Sequence, residues 1–390
     1  MLRTTMVPRP SGLSLANWRE PPNHRWAFHH IRELIPTENI AASDTADALQ
    51  STNDSLRNFY YTDADGSSRS LDDFLVDTST DALVVLHRGA LVLEWYAEHY
   101  SPTAPHIVFS VSKSITATLT GVLVARELLE PAAPVTRYVP EARDSAYSDC
   151  TVQHVLDMTV SIDFDESYLD KHGQFARYRA ATGWNPVTAD TQNIDLHDFL
   201  LTLQRGDNSH GSTFHYKSPN SDLLGWILER ASQQRIAALL HRHLWQPMGT
   251  EADAYITLDR TGAARTAGGI CAVPRDLARF GELMRLQGAC NDRQLVPADW
   301  IEDCTQNGNH DAWRRGSFAH LLPDGRYRNQ WYQTGYPSGA YFALGIHGQW
   351  IYVDPLHQVV IVKLSAQAEP VSDRFDRMTL RAFAAICGAL

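Results

Sequence analysis

The chain has 390 residues, of which 44% are hydrophobic, 10% aromatic and 20% charged, and its formal net charge is −11. That length is more than one minimal core needs and suits one large domain or two interleaved lobes, while the composition is that of a globular enzyme and excludes a disordered or fibrous chain. The acidic balance, with no long basic run, excludes nucleic acid and anionic membrane surfaces as expected partners.

The opening stretch "MLRTTMVPRPSGLSLANWREPPNHRW" has some positive charge but no continuous apolar core of the kind a secretory signal needs, and no window resembles a transmembrane span. Further along, "ALVVLHRGALVLEWYAEHY" (82–100) places two runs of Val, Leu and aromatic residues around Arg88-Gly89, which predicts a β-hairpin. Helical patterns follow at 111–130, 221–243 and 275–287. A second hairpin is predicted over 348–365, with Asp354-Pro355 as its turn chemistry, and "RFDRMTLRAFAAICGAL" closes the chain as a helix. Strands towards both ends with helices between them predict an α/β domain built from 1–150 and 270–390 and a mainly helical insert over 151–269. Cys150, Cys271, Cys290, Cys304 and Cys387 form no CxxC pair and are odd in number, so they are read as reduced thiols in a cytoplasmic protein.

The helix beginning at 111 carries the first chemical signal. Lys113, one of only four lysines, stands three residues after Ser110 in "HIVFSVSKSITATLTGVLVARELL". Ser110 has two readings, as a helix cap or as a nucleophile whose proton Lys113 accepts. A lysine can act as that base only when desolvation or neighbouring cations hold it neutral, and the apolar flanks supply such a setting. Ser and Lys at this spacing also arise by chance, but an unpaired lysine opening a buried helix would be costly. In "GSTFHYKSPNSDLLGW" (211–226), Tyr216 precedes a strongly periodic helix. It reads either as a packed aromatic or, beside a lysine, as a phenolate or proton relay to a leaving group. The chain has no G-x-S-x-G elbow and no H-E-x-x-H cluster, which excludes a Ser-His-Asp elbow hydrolase and a zincin, and no metal or cofactor is expected.

Ser110-Val-Ser-Lys113 followed a hundred residues later by Tyr216-Lys-Ser resembles the serine hydrolases of the penicillin-binding protein and class C β-lactamase fold. "TVQHVLDMTVSIDF", "LWQPMGTEADAYITLD" and "GGICAVPRDLARFGELMRLQGACNDRQLVPADWIE" agree, so the resemblance runs through nearly the whole chain. "NWREPPNHRWAFHHIRELIPT" (17–37), "GWNP" (183–186) and "GIHGQWIYVDP" (345–355) resemble the 6-aminohexanoate-dimer hydrolase branch and its carboxylesterase relatives. The resemblance implies an α/β (α+β) fold with an antiparallel sheet flanked by helices plus a mainly helical lobe. It implies an acyl-enzyme on Ser110, Lys113 as its base, Tyr216 as relay to the leaving alcohol or amine, and an oxyanion hole from the backbone N–H groups of Ser110 and Ile346. It further implies that Tyr168 assists at an amide nitrogen and that Trp184 flanks the pocket.

Three departures qualify that picture. The third family motif aligns with Ala343-Leu344-Gly345, which lacks the basic residue that anchors a β-lactam carboxylate. His347 lies two positions further on as a substitute, but strand alternation would turn it away from Ile346. Where the dimer hydrolases place a carboxylate to meet the substrate ammonium this chain has Arg179, and an adjacent polar position is Ala267. The expected partner is therefore a small ester or amide, with a homodimer allowed. The rival readings are a catalytically silent binding or sensor protein on the same fold and a D-amino-acid peptidase.

Overall fold

The computed structural model describes residues 8–46, 49–51, 56, 58–189 and 191–390. Residues 1–7, which open the stretch read for a secretory signal, lie outside the described residues. In chain order the elements that position the site are β1 (Thr37–Ile40), α1 (Leu71–Asp77), β2 (Thr80–His87), β3 (Ala90–Tyr96), β4 (His106–Ile107) and α2 (Val111–Ala125). Next come α3 (Gln174–Ala181), α4 (Ser218–Ser232), β5 (Ala254–Thr257), β6 (Ile270–Ala272) and α5 (Pro274–Arg285). The last are β7 (Arg326–Arg328), β8 (Trp331–Gln333), β9 (Tyr341–Gly345), β10 (Gln349–Asp354), β11 (Val359–Ser365) and α6 (Asp373–Ala389).

Seven strands form an antiparallel sheet in the order β7-β8-β9-β10-β11-β2-β3, so both predicted hairpins lie in one sheet and β11 pairs with β2 across the sequence. Alternation along these strands sends side chains to two different cores. Val84 and Leu86 of β2 and Val360 and Val362 of β11 pack on one face with Leu277 and Phe280 of α5. Leu83, Val85 and Ile361 point to the other face, where α1 and α6 supply Phe74 and Phe383. A sheet covered on both faces needs apolar residues at consecutive positions, which is why these strands read as near-continuous hydrophobic runs. Arg88 and Gly89 both have positive φ (53° and 81°), the backbone of a tight two-residue turn whose hand matches the twist of the flanking strands.

A second, four-stranded sheet has the order β1-β5-β6-β4. The segment 151–269 supplies α3, α4 and other helices, and also β5, which pairs with β1 and β6 from outside it. The helix expected over 221–243 is interrupted. It starts at Ser218, and Gln233 takes a left-handed conformation (φ 55°) whose N–H donates to Glu229 O, ending α4 before a new helical segment starts at Ile236. Helix α2 is buried over most of its length despite four hydroxyl residues after Lys113. Thr116, Thr118 and Thr120 each donate to the carbonyl four residues back, at 2.9, 2.8 and 3.0 Å, so their polar groups are satisfied within the helix. None of the five cysteines is in a disulfide, and all but Cys290 are buried. Among the described residues no helix is long and apolar enough to cross a membrane.

Candidate active site

Ser110 sits where β4 runs into α2. Its hydroxyl makes no capping bond to the helix backbone. It lies instead 2.8 Å from Lys113 Nζ, which also donates to Ala267 O at 2.6 Å. The capping alternative therefore does not describe this serine. The residue before it, Phe109, has φ 44°, a costly conformation for a side chain of that size. Aromatic packing holds it there: its ring meets Phe28 at 4.9 Å, Trp184 at 5.9 Å and Trp18 at 6.3 Å. A strained residue over-determined by its neighbours fixes the direction in which Ser110 projects.

Lys113 is buried, and burial pushes its pKa down to about 7, with Glu166 and Asp222 opposing the shift and Arg265 adding to it. A buried network fixes the lysine's other acceptor. Asp222 on α4 is ion-paired with Arg265 and accepts from Tyr178 Oη, and its second oxygen accepts from Ala267 N at 2.7 Å. Ala267 thus enters the site through its backbone carbonyl and borders the narrow space beside Ser110.

Tyr216 borders the same cavity as Ser110, and Lys113 Nζ lies 5.0 Å from the centre of the Tyr216 ring. Burial raises the Tyr216 pKa far above that of an exposed phenol, which favours the neutral hydroxyl over the phenolate. Glu166, which the sequence reading did not single out, accepts from Tyr168 Oη at 2.9 Å and from Ser218 Oγ at 2.6 Å, tying the loop before α3 to the start of α4. No periodicity or spacing marks it within "DFDESY"; only the contact with Ser218, 52 residues away, gives it a role.

The end of β9 closes the site from the far side. A Cβ on Gly345 would lie 2.5 Å from Val108 O and 3.0 Å from Ser110 N, so only glycine lets this strand pass so close to the serine. Ile346 follows at once and lines the same cavity as Ser110. Ala343, two residues before Gly345, is fully buried in the core and does not line the cavity. His347 does not extend the strand: with φ 62° it lies in the turn after β9, so strand alternation does not describe its position. Its Nδ1 lies 2.7 Å from Gln367 O, its ring packs on Phe28 and Phe109, and burial pushes its pKa down to about 3, so it is a neutral wall residue and cannot replace the missing cation.

Tyr168, Arg179 and Trp184 all border the narrow space beside Ser110. Trp184 is buried, donates from Nε1 to Thr257 Oγ1 at 3.1 Å and lies under Arg265. Arg179, on α3, donates to Tyr168 O at 2.9 Å and stacks on Phe175. Tyr168 stands between two larger cavities, one of about 630 Å³ that reaches Ser110 and Tyr216 and one of about 840 Å³ that reaches Arg179 and His347. The structure thus brings all nine expected site residues to the walls or supports of one continuous region; for Ala267 the backbone, and for His347 an outer wall, is what contributes.

Residues 69–386 match the Beta-lactamase family model. The chain is 36% identical, over 92% of its length and 89% of the relative's, to a 6-aminohexanoate-dimer hydrolase of Paenarthrobacter ureafaciens. It is 31% identical to Esterase EstB of Burkholderia gladioli over 38% of each chain. A solved Bacillus anthracis structure, provisionally assigned as a 6-aminohexanoate-dimer hydrolase, superposes with a TM-score of 0.89 over 98% of both chains at 26% identity. With a family model matched over residues 69–386 and a 6-aminohexanoate-dimer hydrolase 36% identical over 92% of the present sequence, this chain belongs to the β-lactamase family, as a serine hydrolase of the branch that contains the 6-aminohexanoate-dimer hydrolases and their esterase relatives.

Proposed function

We propose that this enzyme is mainly a carboxylesterase that works through an acyl-enzyme on Ser110, with weak activity on linear 6-aminohexanoate amides. The observation that carries the reading is the 2.8 Å contact between Ser110 Oγ and a buried Lys113 whose pKa is about 7. Neutral Lys113 takes the hydroxyl proton as Ser110 Oγ attacks the carbonyl carbon. The amides of Ser110 and Ile346 face the forming oxyanion. The proton reaches the leaving oxygen or nitrogen through Tyr216, and a water then attacks the acyl-enzyme by the reverse path. Tyr168 supports nitrogen leaving groups, and Trp184 walls the acyl side.

The ester preference follows from charge. An amide of 6-aminohexanoate brings an ammonium to the acyl side, where Arg179 repels it and the Ala267 methyl offers it nothing. The absence of a cation on β9 removes the anchor for a β-lactam carboxylate, so nitrocefin is expected to acylate slowly without useful turnover. Short p-nitrophenyl esters should be hydrolysed at undiminished rate in chelator. Arg179→Asp combined with Ala267→Asn should raise hydrolysis of the linear dimer by roughly tenfold or more, since one favourable charge contact replaces one repulsive contact. A native enzyme that cleaves the dimer as fast as its best ester, or a double variant that gains nothing, contradicts the assignment.

A further inference from the structure

The region beside Ser110 is electrically lopsided. The larger outer cavity, on the Arg179 side of Tyr168, is bordered by Arg19, Lys171, Arg177 and Arg179 against Glu20 alone. The cavity on the Tyr216 side is bordered by Asp165, Glu166, Glu369 and Asp376 against Lys217 alone. Ser110 stands at the junction, and the passage from it toward the arginines is narrow, about 20 Å³.

Two arginines that border that passage form no ion pair among the described residues. Arg19 donates to Trp184 O at 3.0 Å and to Asn185 Oδ1 at 2.5 Å, and Arg179 donates to Tyr168 O at 2.9 Å. Among the described residues neither forms an ion pair with a carboxylate, whereas the neighbouring Arg265 is fully matched by Asp222. Both are half-buried and both border the passage as well as the outer cavity. Burial first, and then the fields of Arg179 and Arg265, hold the Arg19 pKa well below its usual value against the opposing charge of Glu20. Two guanidinium groups with no carboxylate in ion-pair contact are stabilised by an anion that arrives from outside, and a carboxylate fits their planar donor geometry.

We propose that the acyl half of the substrate ends in a carboxylate held by Arg19 and Arg179, so that the preferred substrates are half-esters of linear dicarboxylic acids. This rests on the reading of Ser110 as nucleophile and Tyr216 as relay. Tyr216 borders only the acidic cavity, so the leaving alcohol departs on that side and the acyl chain lies towards the arginines. The narrow passage selects an unbranched methylene chain. The Ser110 Oγ–carbon bond forms, the carbon–oxygen bond to the alcohol breaks, the serine proton leaves with the alcohol, and water then releases the free dicarboxylate and restores the hydroxyl.

Binding and turnover test the two readings separately. In calorimetric titrations of the Ser110→Ala enzyme, monomethyl adipate should bind at least about tenfold more tightly than dimethyl adipate, and that preference should shrink when Arg19→Gln or Arg179→Gln is added. With the native enzyme, kcat/KM for mono-p-nitrophenyl adipate should exceed that for p-nitrophenyl hexanoate by a similar factor. Equal binding of the two adipates, or a preference that survives both arginine replacements, overturns the anion site. Ser110-dependent cleavage of p-nitrophenyl hexanoate with no gain for the adipate overturns it while leaving the esterase reading intact. Arginine-dependent binding of monomethyl adipate with no cleavage of either nitrophenyl ester supports the anion site and overturns the nucleophile assignment.

Discussion

The molecule contains two buried lysines that each touch a serine hydroxyl. Lys113 Nζ is 2.8 Å from Ser110 Oγ on the helix, and Lys363 Nζ is 2.6 Å from Ser365 Oγ on β11. Burial pushes both lysines down to about 7. By distance and basicity alone the second pair is as good a nucleophile and base as the first. The difference lies around them. Ser365 is fully buried in the central sheet, where its N–H donates to Gln349 Oε1 and Lys363 faces the Phe74 ring. Ser110 borders a cavity of about 630 Å³ that Tyr216 also lines, and has Gly345 against its amide. A perturbed lysine beside a serine marks a reactive site only where a substrate carbonyl can reach the oxygen and a donor can receive the charge.

The largest test of that contrast is the loss of each serine. Ser110→Ala should lower p-nitrophenyl ester turnover by about 10⁴-fold or more and abolish labelling by a fluorophosphonate, and Lys113→Ala should do nearly the same, since members of one unit show non-additive losses. Ser365→Ala should leave the ester rate within about twofold. Labelling on Ser365, or a rate that survives the loss of Ser110, would erase the distinction.

A smaller effect separates the lysines by pH. Lys113 accepts a proton only when neutral, so kcat/KM for the ester should fall as pH drops through about 7 and level off above it. Lys363→Met should leave the midpoint of that limb unmoved. A midpoint that shifts with Lys363 would mean that the profile reports the sheet and not the site.

The smallest effect is one the two lysines share. Each loses its proton near pH 7 in the native state but keeps it to about 10.4 in the unfolded chain, so between those values the unfolded state binds more protons. Stability contributed in this way is fully present above the unfolded value and is lost as pH falls through the folded value. The unfolding free energy from urea titration should therefore rise from about pH 7 to about pH 9.5, and either Lys113→Met or Lys363→Met should flatten the rise in part. Stability does not tell the lysines apart; only activity does.

Much of the frame was legible in the chain because it depends on local rules. The Arg88-Gly89 and Asp354-Pro355 turns sit between apolar runs, and α2, α5 and α6 show helical periodicity, so their positions follow from hydrophobic patterning and turn chemistry. Ser110, Lys113 and Tyr216 were visible through residue type and spacing, and the family motifs around them named the branch. The sequence did not show the break at Gln233, because a glutamine in the left-handed region carries no mark that distinguishes it from a helical one.

What tertiary structure alone decided is charge and access. Glu166 gains its place from Ser218, Arg265 is neutralised by Asp222 43 residues away, and Arg19 meets Arg179 only when the N-terminal segment folds over α3. His347 looked like a spare cation in the sequence, yet burial against two phenylalanines makes it neutral. Residue types and their short-range spacing set which groups exist and which backbone they ride on. Desolvation and ion pairing depend on what packs around a group from distant parts of the chain, and those contacts decide whether Ser110 or Ser365 meets a substrate.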